Sequence, residues 1–390
     1  MNPEPTQNRS ASPARRSSRT GAFLKNTLGW AIAAACLAWV FHDVKLDELT
    51  QHMTSIGWSW AALGIGFNLL IYVIQGHRWK VLLRPTGDIS VLRTTQAIYV
   101  GLFTNAIVPL RVGELVRMFL VSRWLKTDFM SILPSCMVER MLDAVWLAIA
   151  VALSVAFVPL PRELLVGELV LVGVIIAAAA LFGFAVVKKE RARRAEEVIS
   201  KPAKTGGAAP NGLANTTSPP SAGPSAASIP DGASRRRSPF RFVSRFIDDM
   251  ATGFHKIGLS RNFFMASVGS LGVLVCQVLA LWCVMPAMGI DVSLWEGAVV
   301  FVIVRMGTAL PNAPSNVGSY QFFTVVALEI FGVDKATAAS FSLVSFVLLT
   351  VPVAIVGLFA LRRTGMSFSA IRSEVARLRG SRIRTSRSSG

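Results

Sequence analysis

Apolar residues in this chain come in long runs, not at the three-to-four-residue spacing of a helix that hides one face. A helix crossing a bilayer needs about 17–25 mostly apolar residues, each rising about 1.5 Å. Runs of that kind lie at roughly 22–41, 58–76, 91–108, 129–157, 164–187, 263–285, 294–310 and 337–361. Two shorter apolar segments, near 112–123 and 316–331, each follow a break bearing Pro and Gly, as half-helices or re-entrant hairpins do. The pattern predicts an all-α fold: a polytopic transmembrane helix bundle of about eight full spans plus two short re-entrant or half-helices.

The polar intervals divide the chain. A basic N-tail over 1–21 precedes a first transmembrane half over 22–187. Residues 188–238 begin with basic residues and turn rich in Pro, Gly, Ser and Ala, as in Ser218-Pro219-Pro220-Ser221-Ala222-Gly223-Pro224; this composition predicts a disordered cytoplasmic linker. A second transmembrane half over 239–363 and a basic C-tail over 364–390 complete the chain. The Arg235–Arg241 region mixes basic and aromatic residues, and reads either as a segment lying on an anionic leaflet or as a solvated juxtamembrane stretch.

Charge sets the orientation. The N-tail, the stretch His77-Arg78-Trp79-Lys80 to Arg84 (read as a loop), Arg123 to Lys126, and Lys188 to Arg194 are basic, whereas the intervals holding Asp43, Asp47 and Glu48, and Asp291 and Glu296, are acidic. Short cytoplasmic loops retain Lys and Arg, so both termini are expected inside a cell (inner) membrane protein with multiple passes. The basic residues before the run at 22–41 resemble a signal peptide, but the length of the basic region and the bulky Trp39-Val40-Phe41 predict an uncleaved anchor. Arg15-Arg16 is a superficial match to a twin-arginine signal, which does not suit so hydrophobic a chain.

Composition agrees: of 390 residues, 52% are hydrophobic and 16% charged, more apolar surface than one soluble core hides. The net charge of +18 is concentrated in tails and short loops, which points to a membrane surface and not to nucleic acid. Cys36, Cys136, Cys276 and Cys283 sit in apolar runs without a CxxC pair, so neither metal site nor disulfide framework is expected. No P-loop is present, and no cofactor is expected.

Two breaks 205 residues apart share a P-x-x-V-G core: Pro109-Leu110-Arg111-Val112-Gly113-Glu114-Leu115 and Pro314-Ser315-Asn316-Val317-Gly318-Ser319-Tyr320. The charge-derived topology runs the first outward and the second inward, so the halves are expected to form an inverted repeat. Interrupted helices at matching places in inverted halves point to a substrate site near the midplane, where a helix N-terminus attracts an anion such as phosphate. The other reading is that Pro and Gly only permit kinks or close helix packing.

Arg111, Glu114 and Arg117 stand at the first break, and the next run carries Glu139, Arg140 and Asp143. Charges at membrane depth face a bundle interior or wet cavity. Glu139 and Asp143, four apart on one helix face, repel unless a cation sits between or opposite, and Arg111, Arg117, Arg140 and Arg305 are the cations considered. The set either leaves a guanidinium to fork onto a phosphate or forms a purely structural network. The second break, with Asn312, Pro314, Ser315, Asn316, Gly318, Ser319, Tyr320 and Gln321, is polar and uncharged, fit for hydrogen bonds to a head group or for packing. The carboxylate pair lacks an accompanying nucleophile, metal or nucleotide loop, so transport ranks above catalysis.

The run Phe103-Thr104-Asn105 through Pro109, Arg111, Gly113-Glu114-Leu115-Val116-Arg117, then Val138-Glu139-Arg140 and Asp143, resembles the transmembrane region of lysylphosphatidylglycerol synthases and related flippase-like proteins. Pro311 to Gln321, Phe331-Gly332-Val333 and Pro352 are similar to that family's second signature. The resemblance implies a protein that moves or accommodates lipids: aminoacylated phospholipids, hopanoid-related lipids or polyprenyl-linked sugars. It carries over Arg111, Glu114, Arg117, Glu139, Arg140 and Asp143. Only about 27 residues follow position 363, so no soluble aminoacyl-transfer domain is expected there, and the long linker departs from the family's compact pattern.

These strands of argument predict a lipid translocase or flippase-like protein for an anionic or polyprenyl-linked lipid. The substrate-binding residues would be Arg111, Gly113, Glu114, Arg117, Glu139, Arg140, Asp143, Asn312, Pro314, Asn316, Gly318, Ser319 and Tyr320. Membrane lipids with anionic head groups are the expected partners. The alternative is a transmembrane subunit or partner of a lipid-linked glycosyl or aminoacyl transferase, and a third reading is a scaffold whose linker binds cytosolic proteins.

Overall fold

The computed structural model describes residues 30–42, 56–107, 112–157, 173, 261–308 and 316–365. The expected N-tail, the C-tail beyond residue 365, the linker over 188–238 and the run at 164–187, apart from residue 173, lie outside the described residues.

Every regular element among these residues is a helix: α1 Trp30–Phe41, α2 Trp58–Leu83, α3 Val91–Ile107, α4 Gly113–Leu125, α5 Phe129–Phe157, α6 Arg261–Trp282, α7 Val284–Ala287, α8 Leu294–Gly307, α9 Ser319–Glu329 and α10 Lys335–Arg363. By length and apolar composition, three segments among the described residues can cross a membrane: α2, the Arg261–Ala287 segment that joins α6 and α7, and α10. The 17 residues of α3 and 14 of α8 span only about 25 and 21 Å.

The helices that flank each break pack against each other. A Cβ on Gly113 would stand 1.9 Å from the Gly101 carbonyl oxygen, so α3 and α4 touch backbone to backbone. Asn105 closes this hairpin, its Oδ1 accepting from the Gly113 N–H at 2.7 Å and satisfying a donor at the start of α4. In the second hairpin, a Cβ on Gly307 would meet the Phe323 ring at 2.1 Å, bringing α9 onto α8. Gly318 begins α9 with φ +87° beside the α1 backbone at Ala33, where a side chain would be strained and would collide. Close approach at small residues is the usual way helices associate where lipid removes the hydrophobic drive between them.

Contacts at the helix ends fix the layout. Arg84, just after α2, donates to Asn262 Oδ1 near the start of α6 at 3.0 Å, and Gln96 on α3 donates to the Ala360 carbonyl on α10 at 3.0 Å. The Arg93 guanidinium lies 6.0 Å from the Trp124 ring of α4. These contacts gather Arg84, Arg93, Arg123, Lys126, Arg362 and Arg363 at one end of the bundle. At the other end the Gly57 N–H donates to the Ala287 carbonyl at 2.7 Å, and Trp60 meets Trp282 at 5.7 Å between rings. Thus α2 runs antiparallel to α6. Packing pairs α3 with α10 and α5 with α8. One apolar cluster centres on Trp79, Val100, Leu120 and Ile132 of α2 to α5, and another on Val284, Val300, Leu328 and Phe341 of α7 to α10.

One expectation is corrected here. The stretch from His77 to Leu83 is the last two turns of α2, not a loop; Arg78 and Trp79 within it are buried. No Pro or Gly interrupts α2 between Gly76 and Pro85, and Trp79, Val81, Leu82 and Leu83 all find buried positions, so the helix continues past its purely apolar part.

Candidate functional site

Three helices from the first half, α2, α4 and α5, bring six charges together, with one hydroxyl from α6. Arg78 on α2 is 1% exposed and Glu139 on α5 is 0% exposed. Arg78 Nη2 donates to Glu139 Oε1 at 2.9 Å, while Nη1 donates to Asp143 Oδ1 and to Ser270 Oγ, the latter at 2.6 Å. The guanidinium therefore bridges the two carboxylates that the four-residue spacing puts on one face of α5, and its planar fork suits this role better than a lysine. Arg78 is not among the cations expected from sequence, where its stretch reads as a loop.

Arg117 on α4 approaches Glu139 from the other side. Its Nη1 donates to Oε1 at 3.2 Å, its Nη2 lies 3.1 Å from Oε2, and its guanidinium carbon sits 4.9 Å from the Trp79 ring centroid. Trp79 is anchored in turn by its indole N–H, which donates to Ser135 Oγ at 3.0 Å. Glu139 is thus held between two buried arginines, the arrangement that makes a carboxylate tolerable at such depth.

The outer part of the cluster is open. Arg140 Nη2 pairs with Glu114 Oε1 at 3.0 Å, with side chains 43% and 47% exposed, and Arg140 Nη1 lies 4.0 Å from Asp143 Oδ2. Glu114 occupies the first turn of α4, where the helix dipole favours an anion. Three guanidinium groups and three carboxylates balance formally, graded from a sealed core at Arg78 and Glu139 to an accessible rim at Arg140 and Glu114.

Of the residues expected at the site, Glu114, Arg117, Glu139, Arg140 and Asp143 come together, and Gly113 supplies the close α3–α4 approach. Arg111, Asn312 and Pro314 lie outside the described residues. In the second half, Gln321 Oε1 accepts from the Gly318 N–H at 2.7 Å, and Tyr320 Oη lies 3.0 Å from Ser345 Oγ on α10. Ser319 is buried, and Asn316 has φ +59°. Gln321 ties α9 to its own start, and Tyr320 ties it to α10. The sequence signal that could have exposed Arg78 is its place on the buried α2 face with Asn68, Ile71 and Leu82.

A family model described as "Lysylphosphatidylglycerol synthase TM region" matches residues 26–357. No curated protein and no solved structure matches the chain.

Proposed function

The chain belongs to the lysylphosphatidylglycerol synthase TM-region family of integral membrane proteins associated with lipid modification or transport, and from that membership we propose that it is a lipid translocase. Its substrate is a lipid with an anionic head group, held at the rim formed by Arg140, Glu114 and the start of α4. The observation that carries this reading is the grading of the charge cluster. Arg140 stays accessible on a carboxylate that a phosphate can replace, as a head-group site requires. Replacement exchanges one oxyanion for another on the same guanidinium fork, while Arg78 and Arg117 keep Glu139 neutralised beneath.

The helix pairing supports alternating access. Antiparallel α2 and α6, hairpins α3–α4 and α8–α9, and the matched pairs α3–α10 and α5–α8 suit an inverted repeat. The end rich in Arg and Lys is the cytoplasmic one of an inner-membrane protein, with both termini on that side.

The test is reconstitution into liposomes carrying fluorescent phosphatidylglycerol, phosphatidylcholine or a polyprenyl phosphate, with dithionite used to read label crossing the bilayer. Faster crossing of the anionic lipids than of phosphatidylcholine is expected. No movement of any lipid by folded protein overturns the translocase reading and favours a partner of a lipid-modifying transferase.

A further inference from the structure

Two short steps along the chain lead from the charge cluster into an apolar cavity. On α5, Asp143 belongs to the cluster and Trp146, one turn later, lines the cavity; on α6, Ser270 bonds Arg78 and the adjacent Leu271 lines the cavity. The cavity, of about 260 Å³, lies between α5, α6 and α8 and extends along α5 to Ser154, about 12 Å further. Its walls are almost wholly hydrocarbon and indole. The hydroxyl of Ser154 donates to the Ala150 carbonyl at 2.8 Å, and the Trp146 N–H donates to Ser267 Oγ at 3.3 Å, so these two polar groups of the wall are engaged.

We infer that this cleft holds one fatty-acyl chain of the glycerophospholipid whose head group sits at Arg140, making head-group and chain subsites one continuous amphipathic site. The inference rests on the translocase reading and adds to it where the tail goes. Hydrocarbon against the bundle in general needs no cleft: Phe264, Val268, Ile355 and Phe359 offer exposed apolar surface of that ordinary kind. Ile149, Leu153, Val275 and Trp295 of the cleft are exposed as well, but they line a concave surface that begins at Trp146, one turn of α5 from Asp143. Asp143 at the junction is neutralised by Arg78 and lies 4.0 Å from Arg140, so a phosphate on Arg140 and a chain past Trp146 can belong to one molecule.

The test uses full-length protein in phosphatidylcholine nanodiscs containing phosphatidylglycerol with a diazirine in one acyl chain, irradiated and mapped by peptide mass spectrometry. The inference expects adducts at Ile149, Leu153, Val275 or Val278. These should be lost on adding excess unlabelled phosphatidylglycerol, but not excess phosphatidylcholine. They should also be lost in A298W, which narrows the cleft. Wild-type competition carries the test if that variant does not fold.

Adducts confined to Phe264, Val268, Ile355 and Phe359 overturn the inference, as do cleft adducts indifferent to the competing head group. Competition by undecaprenyl phosphate and not by phosphatidylglycerol assigns the cleft to a polyprenyl chain and overturns the acyl assignment. Selective translocation without cleft adducts removes this inference alone. Competed cleft adducts in a protein that moves no lipid support it and remove the translocase reading.

Discussion

Arg78 and Glu139 stand 61 positions apart in the chain, yet their charged groups meet at 2.9 Å and neither side chain reaches solvent. The pair ties α2 to α5 beneath the open rim, and Ser270 brings α6 to the same guanidinium. Isolated, either charge would be costly at this depth; together with Arg117 and Asp143 they balance one another beneath the exposed pair of Arg140 and Glu114.

Breaking that balance should cost stability. R78M leaves Glu139 with Arg117 as its remaining buried partner and removes the bridge to Asp143, and a loss of about 3–5 kcal/mol is expected. Adding E139Q should recover part of the loss, since the uncompensated charge goes with it. Thermal unfolding in detergent of the two single variants and the double variant checks the non-additivity.

Close packing at the first hairpin predicts a sharp contrast between two glycines. G113A places a methyl group 1.9 Å from the Gly101 carbonyl and should separate α3 from α4, at about 1–3 kcal/mol or more. G66A on α2 meets nothing within 4 Å and should be neutral or stabilising by up to about 1 kcal/mol. Unfolding temperature and the yield of monodisperse protein report the difference.

The Asn105 side chain caps α4 across the break. N105A removes the acceptor for the Gly113 N–H and should cost about 0.5–2 kcal/mol, whereas N105D keeps an acceptor and should cost less. Stability of the two variants, measured side by side, separates loss of the cap from a general intolerance of change at this position.

Most of the helical plan was legible in the sequence because apolar runs and Pro/Gly breaks act locally. The four-residue spacing of Glu139 and Asp143 calls for a cation between or opposite them. Arg78 escaped because a run of His77, Arg78, Trp79 and Lys80 looks like a loop when judged by polarity; the lack of a helix stop before Pro85 and the burial of Val81, Leu82 and Leu83 outweigh it. The contact from Arg78 to Ser270 spans 192 positions, and nothing local in one sequence signals it. Tyr320 and Gln321, whose polarity reads as fit for a head group or for packing, hydrogen-bond to Ser345 and to the start of α9, partners no local pattern distinguishes.

The exposed rim pair gives opposite expectations for its two members. E114Q releases Arg140 from its ion pair and should tighten binding of phosphatidylglycerol, while R140A should weaken it; a surface-type pair of this exposure contributes only about 0–1 kcal/mol to folding, so both variants should remain folded. Binding of the lipid to each purified variant, followed at several salt concentrations, checks the signs.

The translocation ratio of phosphatidylglycerol to phosphatidylcholine, read by dithionite in liposomes holding equal amounts of folded wild-type, R140A and R140K protein, tests the central claim most directly. The account predicts a ratio above one for wild type, a ratio near one for R140A, and partial retention in R140K, which keeps the charge but not the fork. An unchanged ratio in R140A would contradict the assignment of the head-group site to Arg140.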